Sequence, residues 1–325
     1  MHLLRRESNV WTALMAISVL LMAGCAKTII EPSPTGSPRE KATATQIMPT
    51  PQPPPPKTLI ICLGQEPDSL YLYGATTRET DTVLQALYDG PFDLLDYQYQ
   101  PVILERIPSL ENGDAQLNPI TVVEDDIYIN PDSQLPENLI RGKPYLPSGC
   151  ESPECIETYK GGEVLMDQLE VVFKILPGIT WSDGEPLTAS DSVFSFMMDS
   201  NKDTPTTKYL SDRTAEYQAL NDLTVKWKGI PGFLDPDYGS NFWSPLPTHQ
   251  LADYSPADLL TAEESSQSPL GWGPYILDTW EAGSQILLKK NENYFRSDEG
   301  LPNFDVLIFR FPGGSMTSRV EQLLP

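Results

Sequence analysis

Chemistry needs a short list of side chains, and this chain of 325 residues is poor in them. It carries two histidines, His2 and His249, and four cysteines, Cys25, Cys62, Cys150 and Cys155. Once the amino-terminal segment is set aside, a Ser-His-Asp triad or a histidine-built zinc site would have His249 alone to draw on. No GxSxG elbow, HExxH pair, P-loop or GxGxxG turn occurs. His249 lies in SPLPTHQL, where capping or packing suits it. The chain holds 45 Asp and Glu against 22 Lys and Arg, a formal charge of −23. Paired carboxylates can hydrolyse glycosides, but such an abundance of acids guarantees many pairs and singles out none. No catalytic residue, metal site or cofactor is expected. The acidic surface argues against nucleic acid and anionic lipid as partners and favours solubility.

The cysteines divide by context. Cys150 and Cys155, in PSGCESPEC, lie in a Pro/Gly loop and are expected to form a local disulfide in an oxidising compartment. Cys62, in the strand-like run TLIICLG, reads as a small buried hydrophobe. Cys25 follows a basic start, MHLLRR, and an apolar run from Val10 to Ala23 that is short for a membrane span but suits a signal-peptide core. Met22-Ala23-Gly24-Cys25 resembles the lipobox of bacterial lipoproteins, with Met22 where Leu is usual. That resemblance implies removal of residues 1–24 and lipid on the Cys25 sulfur, with firm attachment if two acyl chains are added. Residues 25–57 would then be anchor and tether, since nine prolines between Pro32 and Pro56, spaced by Ser, Thr and Gln, cannot build a core. Such a tether reaches at most about 100 Å.

Periodic elements follow. Thr58–Leu63 reads as a buried strand ended by Gly64, and Val83, Leu84, Leu87 and Tyr88 have helical spacing. Leu169, Val171, Phe173 and Ile175 alternate as a half-buried strand, as does Leu223–Gly229. Thr188 followed by Asp191 marks a helix start, continued by Val193, Phe194, Met197 and Met198. GWGPYILDTWEAGSQILLKKNENYF, Gly271 to Phe295, reads as a hairpin, Tyr275–Trp280 returning as Gln285–Lys290 around Glu281–Ser284. Strands and helices interleave without strict βαβ repetition, so the class is α/β with mixed sheets.

Several segments, in order from Gly64 to Phe311, together resemble the extracytoplasmic solute-binding proteins of the peptide/nickel class, family 5, which feed ATP-binding-cassette (ABC) importers. GQEPDSL is similar to the family's first strand-to-loop segment, with Tyr71-Leu72 replacing Asp-Pro. ALYDGPFDLLDYQYQPV resembles the following helix and strand, and FKILPGITWSDGEPLTASDSVFSF, with its Trp-Ser-Asp-Gly and Thr-Ala-x-Asp, is the most specific match. PLPTHQL resembles a Pro-Lys-His element with Thr248 for Lys, and the hairpin resembles the Gly-x-Gly-Pro-Tyr segment closing on Asn-x-x-Tyr-Trp, with Phe295 for Trp.

The resemblance implies a periplasmic-binding-protein-like, two-lobed clamshell that closes on its solute and presents a surface to a membrane permease. Residues 58–312 would form the first lobe, with an insertion at about 107–168, and 313–325 the start of a second, truncated lobe. The implied protein is a monomeric extracytoplasmic receptor anchored to the cell membrane by its N-terminal lipid, on the periplasmic face or at the cell surface, and delivering a solute, oligopeptides foremost. Glu66 matches the family's cleft-facing acid. Phe242, Trp243 and Trp272 are candidates to line a pocket, although buried aromatics more often serve packing. Asp183 reads as a turn residue. An extracytoplasmic lipoprotein enzyme, such as a glycoside hydrolase, and a non-transporting surface lipoprotein that keeps the fold are the competing readings.

Overall fold

The computed structural model describes residues 54–74, 77–150 and 152–311. The Cys25 lipidation site, the signal segment, most of the tether and the expected second-lobe start at 313–325 lie outside the described residues.

In chain order the elements are β1 (Thr58–Cys62), α1 (Arg78–Leu87), β2 (Phe92–Leu95), β3 (Gln98–Pro101), β4 (Ala115–Val122), β5 (Ile127–Ile129), β6 (Pro136–Asn138), β7 (Pro144–Tyr145), β8 (Glu157–Thr158), β9 (Val164–Lys174) and α2 (Ala189–Asp199). Then come β10 (Thr214–Asn221), β11 (Thr224–Gly229), α3 (Thr248–Leu251), α4 (Glu263–Ser266), β12 (Tyr275–Glu281), β13 (Gln285–Lys290) and β14 (Val306–Arg310). Two four-stranded sheets organise them. One runs β1-β14-β13-β12 and is mixed, because β1 pairs parallel with β14 while the others are antiparallel. The other, β10-β11-β9-β4, is antiparallel throughout.

The alternating residues of β9 do what period-two patterning demands. Leu169, Val171 and Phe173 are buried on one face, and Trp227 and Val225 of β11 join them. Helix α1 buries Thr80, Val83, Leu84 and Leu87, an i, i+3, i+4, i+7 stripe, and Thr77 caps it by accepting the Thr80 N–H. The main core joins α1, both large sheets and the aromatic residues Trp181, Trp227, Trp243 and Trp272.

β1 differs from its expectation. It is an edge strand with β14 as its one neighbour, so its burial alternates between exposed and half-buried, and Cys62 is a half-buried free thiol. An apolar run bounded by a turn signals a strand but says nothing of its place in a sheet.

Within the expected insertion, β4 and β9 pair along eight positions, from Ala115 with Val171 to Val122 with Val164. The excursion from the sheet is therefore residues 123–163. It carries two short ribbons, β5-β6 and β7-β8, and a core of its own with the strand ends that flank it, Val122, Tyr128, Leu139, Tyr145, Tyr159 and Met166. Cys150 and Cys155 are joined there by a disulfide. Glu137 gathers the Lys143 ammonium (2.8 Å), the Asn130 amide (3.0 Å) and the Ser133 hydroxyl (2.7 Å), which hold its carboxyl down at about 2.

At the sheet's base Asp114, nearly buried, accepts from the Arg106 guanidinium and from Lys174 Nζ at 2.8 Å. These cations, Arg106 first, hold its carboxyl below its ordinary 3.8 although burial opposes them. A carboxyl with a depressed folded pKa stabilises fully above the unfolded value and loses that contribution as pH falls through the folded one. Asp114→Asn is therefore expected to flatten the acid limb of the stability profile below about pH 4. It should cost about 1 kcal/mol at neutrality, because both cations are partly solvated. Urea midpoints measured from pH 2 to 7 check both effects.

Candidate solute-binding scaffold

The Gly271–Phe295 segment is fastened at both ends, and its composition follows from how. At its entry the chain passes against the carboxyl end of α1. Gly273 N–H donates to the Leu87 carbonyl at 2.7 Å, and a β-carbon at Gly271 would sit 2.0 Å from that same oxygen. Trp272 between them is 0% exposed, donates its indole N–H to the Asp89 carbonyl at 2.8 Å, and meets Tyr88 and Trp181 edge-on at 5.0 and 5.4 Å. Asn291 donates to the Gly273 carbonyl at 2.8 Å, Asn293 to the Ser182 carbonyl at 2.9 Å, and the Tyr294 hydroxyl to the Asp89 carboxylate. Burial raises the Asp89 carboxyl above its ordinary range, against the Tyr294 and Arg296 contacts that lower it.

At the far end the turn is held by Glu66. One carboxylate oxygen accepts the Trp280 indole N–H at 2.7 Å and the other accepts the Gly283 N–H at 2.9 Å. Gly283 adopts φ +73°, a left-handed value that glycine takes without strain. Glu66 is half-buried at the mouth of a cavity of about 310 Å³ shared with Asp68, Gln267, Trp280 and Ala282. A larger cavity of about 660 Å³ opens beside the entry end, lined by Tyr88, Asp89, Asp93, Leu94 and Gln100 among others.

The Trp-Ser-Asp-Gly turn lies between. Asp183 accepts the Glu185 N–H at 3.1 Å, as a turn aspartate does, and its other oxygen pairs with His249 Nε2 at 2.9 Å. Asp191 accepts Thr188 N–H at 2.9 Å, Thr248 N–H at 3.1 Å and the Trp181 indole at 3.4 Å, tying the start of α2 to the turn and to α3.

Phe242 and Trp243 are 6% and 5% exposed, and the Trp243 indole donates to Asp199 at 2.8 Å, so with Trp272 they stiffen the lobe from within. Tyr71, where the resembled family has Asp, is 1% exposed and fills a cluster with Phe194, Met198, Leu246, Leu251 and Leu259. Sequence reasoning missed the two partners of Glu66, which lie 214 and 217 positions away. It also missed Asp89, whose one signal is its place just beyond a helical stripe. Among the described residues no group of three or more metal-ligating side chains converges, and no helix is long and apolar enough to cross a membrane.

One mixed and one antiparallel four-stranded sheet, with a hairpin in the mixed sheet and acid-lined cavities beside it, give the chain a scaffold of the periplasmic-binding-protein type. The family described as bacterial extracellular solute-binding proteins, family 5, middle region, matches residues 152–323, and the chain belongs to that family. It is similar to the oligopeptide-binding protein AppA of Bacillus subtilis, with 31% identity over 144 residues covering 42% of this chain and 25% of that protein. Among solved structures, it shares the fold of an oligopeptide-binding protein from Thermus thermophilus complexed with a pentapeptide, with a TM-score of 0.57, 17% identity, and coverage of 82% of this chain and 43% of that one. NikZ from Campylobacter jejuni, solved with nickel and L-histidine, gives a TM-score of 0.53 at 17% identity, covering 83% and 42%. The chain thus spans about a quarter of the curated relative and about two fifths of the solved structures.

Proposed function

We propose that this protein is a lipid-anchored extracytoplasmic receptor that binds oligopeptides and delivers them to an ABC permease. Cys25 carries the anchor, residues 26–57 the tether, and 58–312 the first lobe of a clamshell. Family membership over residues 152–323 is the observation that supports this reading most. Peptide is preferred because the AppA relative and the T. thermophilus neighbour are both described as oligopeptide-binding. Glu66 is the proposed contact for a cationic group of the solute. Its oxygens accept one hydrogen bond each from the hairpin, which leaves lone pairs toward the 310 Å³ cavity.

The test is uptake. A strain deleted for the coding region should lose growth on oligopeptides as sole amino-acid source and regain it with the intact gene. Glu66→Gln should raise the peptide concentration that supports half-maximal uptake by roughly ten- to a hundredfold, the worth of one charge-assisted hydrogen bond. Undiminished peptide uptake in the deleted strain would overturn the reading.

A further inference from the structure

A cavity of about 720 Å³ lies between the 123–163 excursion and the strands β4 and β9 that it leaves from, outside the elements that carry the hairpin and Glu66. Its walls are Leu117 on the edge strand β4, Leu146, Ile156 and Leu234, and the disulfide residue Cys150 also lines it. Leu117 and Leu234 are exposed, and Leu146 and Ile156 half-buried, so these apolar surfaces meet one another across open space. The volume falls in the range of small-molecule sites, about 300–1,000 Å³.

The polar groups around it have one sign. Asp132 and Asp167 line the cavity, and among the described residues no Lys or Arg does. The Asp167 carboxylate is oriented by the Ser148 hydroxyl at 2.6 Å and the Gly149 N–H at 2.8 Å, one bond to each oxygen, and retains acceptor capacity. Arg213 touches the lining residue Gln134 at its backbone carbonyl (2.5 Å). It also donates to the Tyr209 carbonyl and lies over the Tyr209 ring at 4.1 Å. Gln134 itself is held at φ +57°, an uncommon conformation for a residue with a side chain, by its N–H to the Asn130 carbonyl and its side-chain amide to the Pro131 carbonyl. Non-glycine residues kept in that region cluster at ligand sites, where surrounding bonds over-determine them.

We propose that this cavity is a second ligand site, taking a small organic amine whose hydrocarbon body lies on Leu117, Leu146, Ile156 and Leu234 and whose ammonium group is held by Asp132 and Asp167. An anion would face two carboxylates without a compensating cation in the described lining, and a neutral hydrocarbon would leave both without a counter-charge. The disulfide joins the lining residue Cys150 to Cys155, which lies next to the lining residue Ile156, so the site depends on that link. This site is independent of the transport reading and of Glu66.

Phenethylamine titrated into the full chain, followed by methyl NMR and calorimetry, tests it. One saturable site is expected, with shifts at the Leu117, Leu146, Ile156 and Leu234 methyls. Ethylbenzene, the neutral probe of similar size, should bind at least tenfold more weakly. Asp132→Asn should lower phenethylamine affinity about tenfold, and Leu117→Arg should abolish binding with thermal unfolding unchanged. Reduction of the disulfide should weaken binding at least tenfold. Absence of saturable shifts at those methyls up to millimolar phenethylamine would overturn the site. Equal affinity for ethylbenzene would overturn the assignment of an amine, and undiminished binding to Leu117→Arg would place the probe elsewhere.

Discussion

Gly271→Ala is expected to cost about 3 kcal/mol or more, enough to leave a large fraction of the lobe unfolded at 37 °C. The added carbon would stand 2.0 Å from the Leu87 carbonyl oxygen and 2.9 Å from its carbon, and both atoms belong to the last turn of α1 rather than to a movable side chain. Overpacking costs typically about 1–3 kcal/mol, and more when backbone must shift. Here the shift would also loosen the Gly273 N–H bond to that oxygen and the Trp272 indole bond to Asp89. Gly283→Ala is the control. A carbon there meets open space, and only its left-handed φ resists, so a loss of about 1 kcal/mol is expected. Equilibrium urea unfolding of both variants separates steric exclusion from backbone strain, and equal midpoints would mean that Gly271 does not make this close approach.

Asp191→Ala is expected to destabilise by about 3 kcal/mol. The side chain is 4% exposed and answers four donors: the Thr188 N–H and hydroxyl, the Trp181 indole and the Thr248 N–H. Its removal takes away a helix-start carboxylate, worth about 1 kcal/mol, and strands donors in the interior at roughly 1–3 kcal/mol, terms that overlap and do not simply add. Asp191→Asn keeps an acceptor and should lose about half as much. Denaturant unfolding, with near-ultraviolet dichroism to follow Trp181, checks the ordering. A loss under 1 kcal/mol for the alanine variant would show that water replaces the carboxylate at little cost.

Both substitutions fall in motifs that were legible as sequence, and the reason is locality. Period-two alternation marks β9 and β11, Thr188 followed by Asp191 marks the start of α2, and Gly283 between two apolar runs marks the hairpin turn. Each signal spans fewer than about a dozen residues, so neighbouring side chains and backbone dihedrals alone produce it. The order of the motifs was enough to give the family resemblance, and through it the mixed-sheet clamshell class.

Other features had no local signal. TLIIC looks the same in a central strand as at an edge, and its place was decided by parallel pairing with Val306–Arg310, nearly 250 residues away. The acid Glu66 was visible as a candidate, but its grip on Trp280 and Gly283 was not. Phe242 and Trp243 could be read as pocket lining, with core the better reading, and only the packing of Phe242 on β9 and of Trp243 on α2 and β10 decided it. From the sequence alone came the elements, their order and the family; the packing of distant segments decided which face each element buries, which carboxylates meet which donors, and where space is left for a ligand. Hydrophobic periodicity records that a face must be covered, whereas the identity of what covers it is a property of the assembled chain.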